Sequence, residues 1–195
     1  MSNIVAFVNV TLDGVMQAPG RPDEDIRGNF AHGGWGAPYQ AMASAGEVMA
    51  NAGALLLGRR TYQDFHSVWP KRTDSPFSAY MDNVQKYVAS RTLEEPLPWQ
   101  NSTLLKGDAA ETVAALKKNP GKDLIIMGSG ELIQSLMKAN LIDKYALLIH
   151  PLVLGTGRRL FPDGGAPASL RLLNSKTTDM GVVVAAYVPA ESASK

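Results

Sequence analysis

Residues 123–137 read Asp-Leu-Ile-Ile-Met-Gly-Ser-Gly-Glu-Leu-Ile-Gln-Ser-Leu-Met, a pattern typical of a buried strand that turns directly into a helix. The unbroken apolar run to Met127 predicts a strand covered on both faces, and the apolar residues after Gly130 recur at helical spacing. A helix N-terminus that follows glycines is a ready anion site, because its first N–H groups lack intrahelical partners. The full dinucleotide fingerprint is absent, since Ile133 stands where a third glycine would be. A tight strand-to-helix turn explains the glycines equally well.

Short apolar runs alternate with helical patterns along the rest of the chain, which indicates an α/β fold. Strands are predicted at Ile4–Val10, Ala54–Leu57, Lys86–Ala89, Asp123–Met127 and Tyr145–Ile149. Helices are predicted at Tyr39–Asn51, Arg60–His66, Ser75–Val84 and after Asp108, which is a good N-cap residue. Leu93–Ser102 reads as a loop, and Leu170–Lys176 with Val182–Val188 as a closing antiparallel hairpin. We expect one domain over residues 1–189 and a polar tail at 190–195.

A long polar segment, Gln17–Pro38, separates the first strand from the first helix. Loops over about 15 residues without structure of their own are uncommon and usually functional. A disordered insertion is the alternative. Because Phe30, Trp35 and Tyr39 are costly to leave in water, we expect part of the segment to pack over something.

Composition excludes several classes of protein. The 195 residues carry a net charge of +1, which leaves no electrostatic footprint for nucleic acid or anionic lipid. The chain has no cysteine, so disulfide scaffolds, thiolate nucleophiles and Cys-ligated metals are excluded. His32, His66 and His150 lack metal-ligand spacing, so no metal site is expected. The longest apolar runs are too short to span a bilayer and no secretory signal is evident, so we expect a cytoplasmic protein.

Two further strand ends carry groups that suit phosphate oxygens. Gly58-Arg59-Arg60-Thr61 follows one predicted strand, and Ser90-Arg91-Thr92 follows another. Arginine donors and a threonine hydroxyl at a helix start are typical phosphate ligands, although solvated basic turns would look the same. Together with Gly128-Ser129-Gly130 they favour a nucleotide that lies across the carboxyl edge of a sheet.

These motifs, in this order, resemble the dihydrofolate reductase superfamily. The resemblance includes Thr11-Leu12-Asp13-Gly14 and Leu57–Tyr62, and the segment His150–Phe161 is similar to the reductase domain of riboflavin biosynthesis. It covers nearly the whole chain, from Ile4 to Val188. It implies a mixed, mostly parallel sheet flanked by helices, with NADPH bound along the carboxyl edge.

The resemblance also assigns roles to individual residues. Gly58, Arg59, Arg60 and Thr61 match the segment that contacts the cofactor phosphates, and Gly128, Ser129 and Gly130 match the pyrophosphate turn. Ser90 and Arg91 match the pair beside the adenosine ribose, where arginine favours the 2′-phosphate of NADPH. Leu12, Asp13 and Met16 fall where the first strand meets nicotinamide and substrate, with Asp13 as the candidate catalytic residue. The segment Gly20–Gly36 matches the mobile loop, with Trp35 near its return on the substrate side.

Two departures from the family pattern bear on the substrate. Dihydrofolate reductases carry a carboxylate on the helix after the loop, whereas the matching stretch here is Gln40-Ala41-Met42, and Glu47 is more than one turn away. The riboflavin-pathway reductases have a basic helix there, whereas Ala37–Val48 contains no Lys or Arg. The expected carboxylate for a folate substrate and the expected basic helix for a ribosyl phosphate substrate are therefore both missing from this sequence.

The sequence thus predicts an NADPH-dependent reductase that transfers hydride to a C=N or C=O carbon of a small, pterin- or flavin-precursor-like substrate. One alternative is a nucleotide- or ligand-binding protein without turnover. Another is a dihydrofolate reductase with a displaced acid, drawn from Asp23, Glu24 or Asp25. A homodimer is plausible from the family, and the apolar strand Val182–Val188 is the candidate interface.

Overall fold

The computed structural model describes residues 1–40, 46–73 and 76–190, and its centre is one eight-stranded sheet. The strands are β1 (Ile4–Thr11), β2 (Ala52–Gly58), β3 (Gln85–Ser90), β4 (Ser102–Lys106), β5 (Asp123–Met127), β6 (Lys144–His150), β7 (Leu170–Thr177) and β8 (Val183–Pro189). Their order in the sheet is β4-β3-β2-β5-β1-β6-β8-β7. Strands β1 to β6 run parallel, whereas β8 pairs antiparallel with both β6 and β7. The predicted mostly parallel sheet with a C-terminal antiparallel hairpin is confirmed.

Helices cover both faces of this sheet. They are α1 (Gly46–Ala50), α2 (Arg59–Val68), α3 (Pro76–Asn83), α4 (Ala109–Lys117) and α5 (Gly130–Lys138), with short 3₁₀ turns at Arg27–Asn29, Ala37–Tyr39 and Trp69–Lys71. On one face the core includes Val113 of α4 and Leu136 of α5. On the other it includes Tyr62 of α2 and Met81 of α3. In the described ranges, no helix combines the length and the apolar character that a membrane crossing requires.

The sheet order brings the strand ends that carry the phosphate-type motifs side by side. Strand β2 lies between β3 and β5, so the starts of α2 and α5 are neighbours at the carboxyl edge.

Strand β4 was not predicted, because it is a five-residue edge strand without a buried residue and its sequence gives no alternating pattern. The predicted helix at Tyr39–Asn51 is described in part: α1 covers Gly46–Ala50, whereas residues 41–45 lie outside the described residues, as does most of the tail at 190–195.

The proposed dimer strand is enclosed within the sheet. Strand β8 is hydrogen-bonded on both sides, so the edge strand is β7. Leu172 and Leu173 of β7 are about half exposed, and a flat apolar edge strand is a common place for chains to pair. The homodimer stays a prediction, and its candidate surface moves from β8 to β7.

The segment Gln17–Pro38 is packed against the body of the protein. Its Phe30 and Trp35 are buried together with Val15 and Ala18. The buried Gln17 side chain donates from Nε2 to the carbonyl oxygens of Asp25 and Arg27, at 3.0 and 2.9 Å. These contacts explain how a polar loop of this length keeps one conformation: the aromatic residues anchor it, and one buried amide satisfies its backbone.

His150, at the end of β6, is a fully buried histidine. Its Nε2 lies 2.9 Å from Asn9 Oδ1, and its ring contacts Trp35 and Tyr39 edge-on. Nδ1 has no hydrogen-bond partner among the described residues. The neutral tautomer with the proton on Nε2 fits this environment, because it donates to Asn9 and leaves only a lone pair unmatched. Burial accordingly lowers the pKa of His150 to about 4.

We predict that His150 makes the protein lose stability as pH falls from about 6.5 towards 4. In that window His150 is protonated in the unfolded chain but neutral in the folded chain. Lowering the pH therefore decreases the free energy of unfolding by up to about 3 kcal/mol. Urea unfolding at several pH values measures this loss. His150→Gln, which keeps an amide donor for Asn9, should flatten the profile, whereas the exposed control His32→Gln should leave it unchanged. Parallel profiles for wild type and His150→Gln would contradict the assignment.

Candidate active site

A cleft of about 1040 Å³ opens at the carboxyl edge of the parallel strands. It brings together ten of the residues singled out from the sequence: Met16, Gly58, Arg59, Arg60, Thr61, Ser90, Arg91, Gly128, Ser129 and Gly130. They come from the ends of β2, β3 and β5, the starts of α2 and α5, and the turn after β1. Three separate motifs therefore border one space, as expected for a ligand that crosses the strand ends.

Two hydrogen bonds join the start of α2 to the start of α5. The Gly58 N–H donates to Ser129 Oγ at 3.0 Å, and the Ser129 N–H donates to Thr61 Oγ1 at 3.1 Å. Ser129 Oγ in turn donates to the Met127 carbonyl at 3.2 Å. These bonds fix the two helix starts relative to each other.

Both helices begin without a side-chain cap. The N-cap residues Gly58 and Ser129 make no capping hydrogen bond to their helices, so the N–H groups of the first turns are left for a ligand or water. Helix α4 differs, because the Asp108 carboxylate accepts from Ala110 N and Glu111 N as predicted. The two uncapped termini in the cleft favour negative charge there.

Glycine is required at the turn before α5. Gly128 has φ +59°, and a Cβ on it would lie 3.3 Å from Thr61 Cγ2. A Cβ on Gly130 would lie 2.6 Å from the Met16 sulfur. The glycines therefore serve the tight packing of this turn as well as leaving the backbone open.

The third strand end supplies a cation. Ser90 Oγ accepts from Thr92 N and Leu93 N, at 3.1 and 3.0 Å, and this turn presents Arg91 on the surface of the cleft. Arg91 forms no ion pair with any residue in the described ranges. No carboxylate of those ranges therefore pairs with its charge.

A cluster of charges that the sequence did not reveal lies at the first turn of α5. Glu131 Oε1 accepts from Arg60 Nη1 at 2.9 Å, and from Arg27 Nη1 and Arg158 Nη1 at 3.3 Å each. The arginines belong to α2, to the loop after β1 and to the loop after β6, and all four residues line the cleft. Separations of 27 to 104 residues leave no local pattern from which this cluster could be predicted.

Farther along α2 the cleft wall becomes aromatic. Phe65, Trp69 and Phe77 line it, with edge-on contacts from Trp69 to both phenylalanines at 6.3 and 5.3 Å between ring centroids. Arg72 lies over the Trp69 ring at 5.2 Å. Such a wall suits a flat, partly apolar ligand.

The three loop acids considered as displaced catalytic groups all line the cleft. Asp23 pairs with Arg21, and Asp25 pairs with Arg27. Glu24 makes no hydrogen bond to a cationic side chain of the described residues and instead accepts from Gly20 N and Arg21 N, at 2.7 and 3.1 Å. Burial raises the pKa of Glu24 above its usual value.

The matching helix stretch is only partly described. Gln40 borders the cleft, whereas Ala41 and Met42, and the side chain of Glu47, lie outside the described residues.

Three predicted site residues do not reach the cleft wall. Leu12 is 66% exposed on the surface. Trp35 is buried under the loop, where its Nε1 donates to the Gln17 carbonyl at 2.7 Å. The Asp13 carboxylate accepts from Thr11 Oγ1 at 2.6 Å and from two backbone N–H groups.

Asp13 therefore joins two loops. The backbone donors are Leu154 N at 3.2 Å and Gly155 N at 2.8 Å, and Arg159 Nε donates back to the Asp13 carbonyl at 2.9 Å. Hydrogen bonding, first of all from Thr11, lowers the pKa of Asp13. This carboxylate is held ionised at a loop junction. Its sequence signal, Asp-Gly after a strand, does not distinguish this role from catalysis.

Two solved structures illustrate the fold that this chain shares with known proteins. A protein provisionally assigned to riboflavin biosynthesis in Shewanella sp. PV-4 superposes with a TM-score of 0.64 and 22% identity, over 98% of this chain and 100% of that one. Dihydrofolate reductase from Enterococcus faecalis, in a complex with NADP(H), superposes with a TM-score of 0.61 and 12% identity, over 97% of each chain. At these identities the similarity concerns the fold.

Sequence comparison identifies the family. The uncharacterized protein YyaP of Bacillus subtilis (strain 168) is 35% identical over 138 residues, which are 68% of this chain and 72% of YyaP. The family model of the RibD C-terminal domain matches residues 2–184. The protein belongs to the RibD C-terminal domain family.

Proposed function

We propose that the protein is an NADPH-dependent reductase that transfers hydride to a C=N or C=O carbon of a small, planar heterocyclic substrate. The observation that carries this proposal is the pair of uncapped helix termini, joined through Ser129, that border one cleft beside Arg59, Arg60 and Arg91. Family membership and the fold shared with reductases support a reductase-type activity.

The residues present fit a dinucleotide phosphate. The first turns of α2 and α5 offer backbone N–H groups for the diphosphate. The Thr61 hydroxyl oxygen accepts from the Ser129 N–H, so the Thr61 hydroxyl proton is free to be donated to another acceptor. Arg91 is available for a 2′-phosphate. When bound, the nicotinamide supplies the hydride, and the chain's contribution is to hold and orient both reactants.

The aromatic wall suits the proposed substrate. Phe65 lies six residues after Arg59 on α2, about 9 Å along the helix axis. A flat ring at Phe65 and Trp69 is therefore separated from the phosphate-type end of the cleft. The ring faces of these residues favour planar groups.

We predict that the wild-type protein binds NADPH more tightly than NADH, and that Arg91→Ala removes this difference. The substitution deletes a charged donor to the 2′-phosphate, so NADPH affinity should fall by about tenfold while NADH affinity changes less than about twofold. Quenching of tryptophan fluorescence by each cofactor measures both constants.

Arg171→Ala is the matched control, because Arg171 is exposed on β7, away from the cleft. Equal weakening of NADPH and NADH by Arg91→Ala would contradict the role of Arg91. Absence of binding by both cofactors would remove the reductase proposal. Tight binding without NADPH oxidation by any pterin or flavin precursor would favour the ligand-binding alternative.

We propose that Asp13 positions loops and does not act on the substrate. Asp13→Asn should lower the free energy of unfolding by about 1–2 kcal/mol, since the side chain loses charge and one acceptor for Leu154 and Gly155. The NADPH dissociation constant should stay within about twofold, because the cleft wall is untouched. Urea unfolding and fluorescence titration test both points, with the exposed Asp163→Asn as control. A normal unfolding free energy with reduced turnover would instead support a catalytic Asp13.

Glu24 supports a second candidate, reduction of a pterin with a displaced acid. Its carboxyl lines the cleft, makes no cationic hydrogen bond and has a raised pKa. Under this candidate, dihydrofolate drives NADPH oxidation, the rate falls as pH rises through the raised pKa, and Glu24→Gln lowers kcat by at least about tenfold. The exposed Glu111→Gln is the control. No oxidation with dihydrofolate would exclude this candidate.

A further inference from the structure

The charge cluster around Glu131 has the form of an occupied anion site. Three guanidinium groups from three segments converge on one carboxylate oxygen, Oε1, at 2.9 to 3.3 Å. A phosphate oxygen takes the same kind of donors at the same distances. The carboxylate belongs to the protein itself, at the first turn of a helix that borders the cleft.

Resting on the proposed function, we propose that Arg27, Arg60 and Arg158 form a phosphate-binding site, which the Glu131 carboxylate occupies until a ligand phosphate displaces it. Glu131 then acts as an internal competitor of the ligand. Arg158 lies in the segment His150–Phe161, but the resemblance of that segment assigns no role to Arg27, Arg158 or Glu131.

The charges of the cluster favour exchange for a phosphate. The three arginines face two carboxylates. Glu131 pairs with all three of them, and Asp25 pairs with Arg27. When Glu131 turns away, three guanidinium groups face Asp25 alone. The remaining excess of two positive charges matches a phosphate monoester, which carries about −1.5 to −2 near neutral pH.

The exposure of the cluster makes displacement easy. The Glu131 side chain is 63% exposed, and those of Arg60 and Arg158 are about half exposed. Exposed ion pairs contribute little to stability, so little is lost when Glu131 leaves. A phosphate brings more charge than a carboxylate and three acceptor oxygens.

The alternative role for Glu131 is structural, because a carboxylate in the first turn stabilises a helix. The two roles predict opposite effects of Glu131→Gln on phosphate affinity. If Glu131 only organises the arginines, Glu131→Gln weakens phosphate binding. If Glu131 competes, the same substitution strengthens it.

The experiment measures ligand binding by isothermal titration calorimetry for wild type, Glu131→Gln, Arg27→Gln and Arg158→Gln. NADPH probes a cofactor phosphate, and phenyl phosphate, added with and without saturating NADPH, probes a substrate phosphate. Glu111→Gln is the matched control, because Glu111 also lies in the first turn of its helix, α4, but outside the cleft. Arg171→Gln is the control for the arginines. Thermal melting verifies that each variant is folded.

We expect Glu131→Gln to tighten binding of one probe by about fivefold, and both arginine substitutions to weaken binding of that same probe by about fivefold. A change confined to NADPH assigns the site to the cofactor, and one confined to phenyl phosphate assigns it to a substrate. Weaker or unchanged binding of both probes by Glu131→Gln would overturn the inference. If wild type binds no NADPH, the proposed function fails, while the phenyl phosphate titration of the free protein still decides the anion site.

Discussion

The hydrogen bonds of Ser129 are the constraint on which the site depends. Its N–H and Oγ connect the turn after β5 to Thr61 and Gly58 at the turn after β2. Without them, the starts of α2 and α5 would be two separate helix termini, each too weak alone to bind an anion tightly. The left-handed turn at Gly128 and Ser129, with φ +59° and +52°, is what directs Ser129 towards α2. Local backbone geometry at one turn thus determines how two helices cooperate across the cleft.

A second buried group, the Gln17 amide, sets where the loops lie. Its Nε2 donates to the backbone of the loop after β1, and its Oε1 accepts from Arg158 N at 2.9 Å, in the loop after β6. Because Gln17 is almost fully buried, each lost bond would leave an unsatisfied polar group, at a cost of about 1–3 kcal/mol. The same side chain therefore fixes the backbones from which Arg27 and Arg158 extend. The charge cluster at Glu131 follows from this buried amide as much as from electrostatic attraction.

The sequence predicts the parts of this protein that rest on local patterns. Strand β5 agrees with its prediction at both ends, and the motifs at Gly58, Ser90 and Gly128 do border one cleft, because parallel strands place their carboxyl ends together. Strand β4 escaped prediction because an edge strand lacks a buried face. The positions of Asp13 and Trp35 depend on contacts with residues far away in sequence, as do the partners of Glu131. Such contacts arise only when separate segments of the chain meet in the folded protein, and no spacing along the chain predicts them.

The two ends of helix α2 give the cleft one positively charged end and one aromatic end. Its N-terminus, with Arg59 and Arg60, presents partial and full positive charge, whereas its second half presents Phe65 and the adjoining Trp69. A ligand with an anionic end and a flat end gains from both regions in one orientation only. In the reverse orientation the anion would leave the uncapped N–H groups and two arginines and would find only Arg72, which lies over the Trp69 ring. The polarity of this one helix therefore favours one orientation for a ligand of that kind.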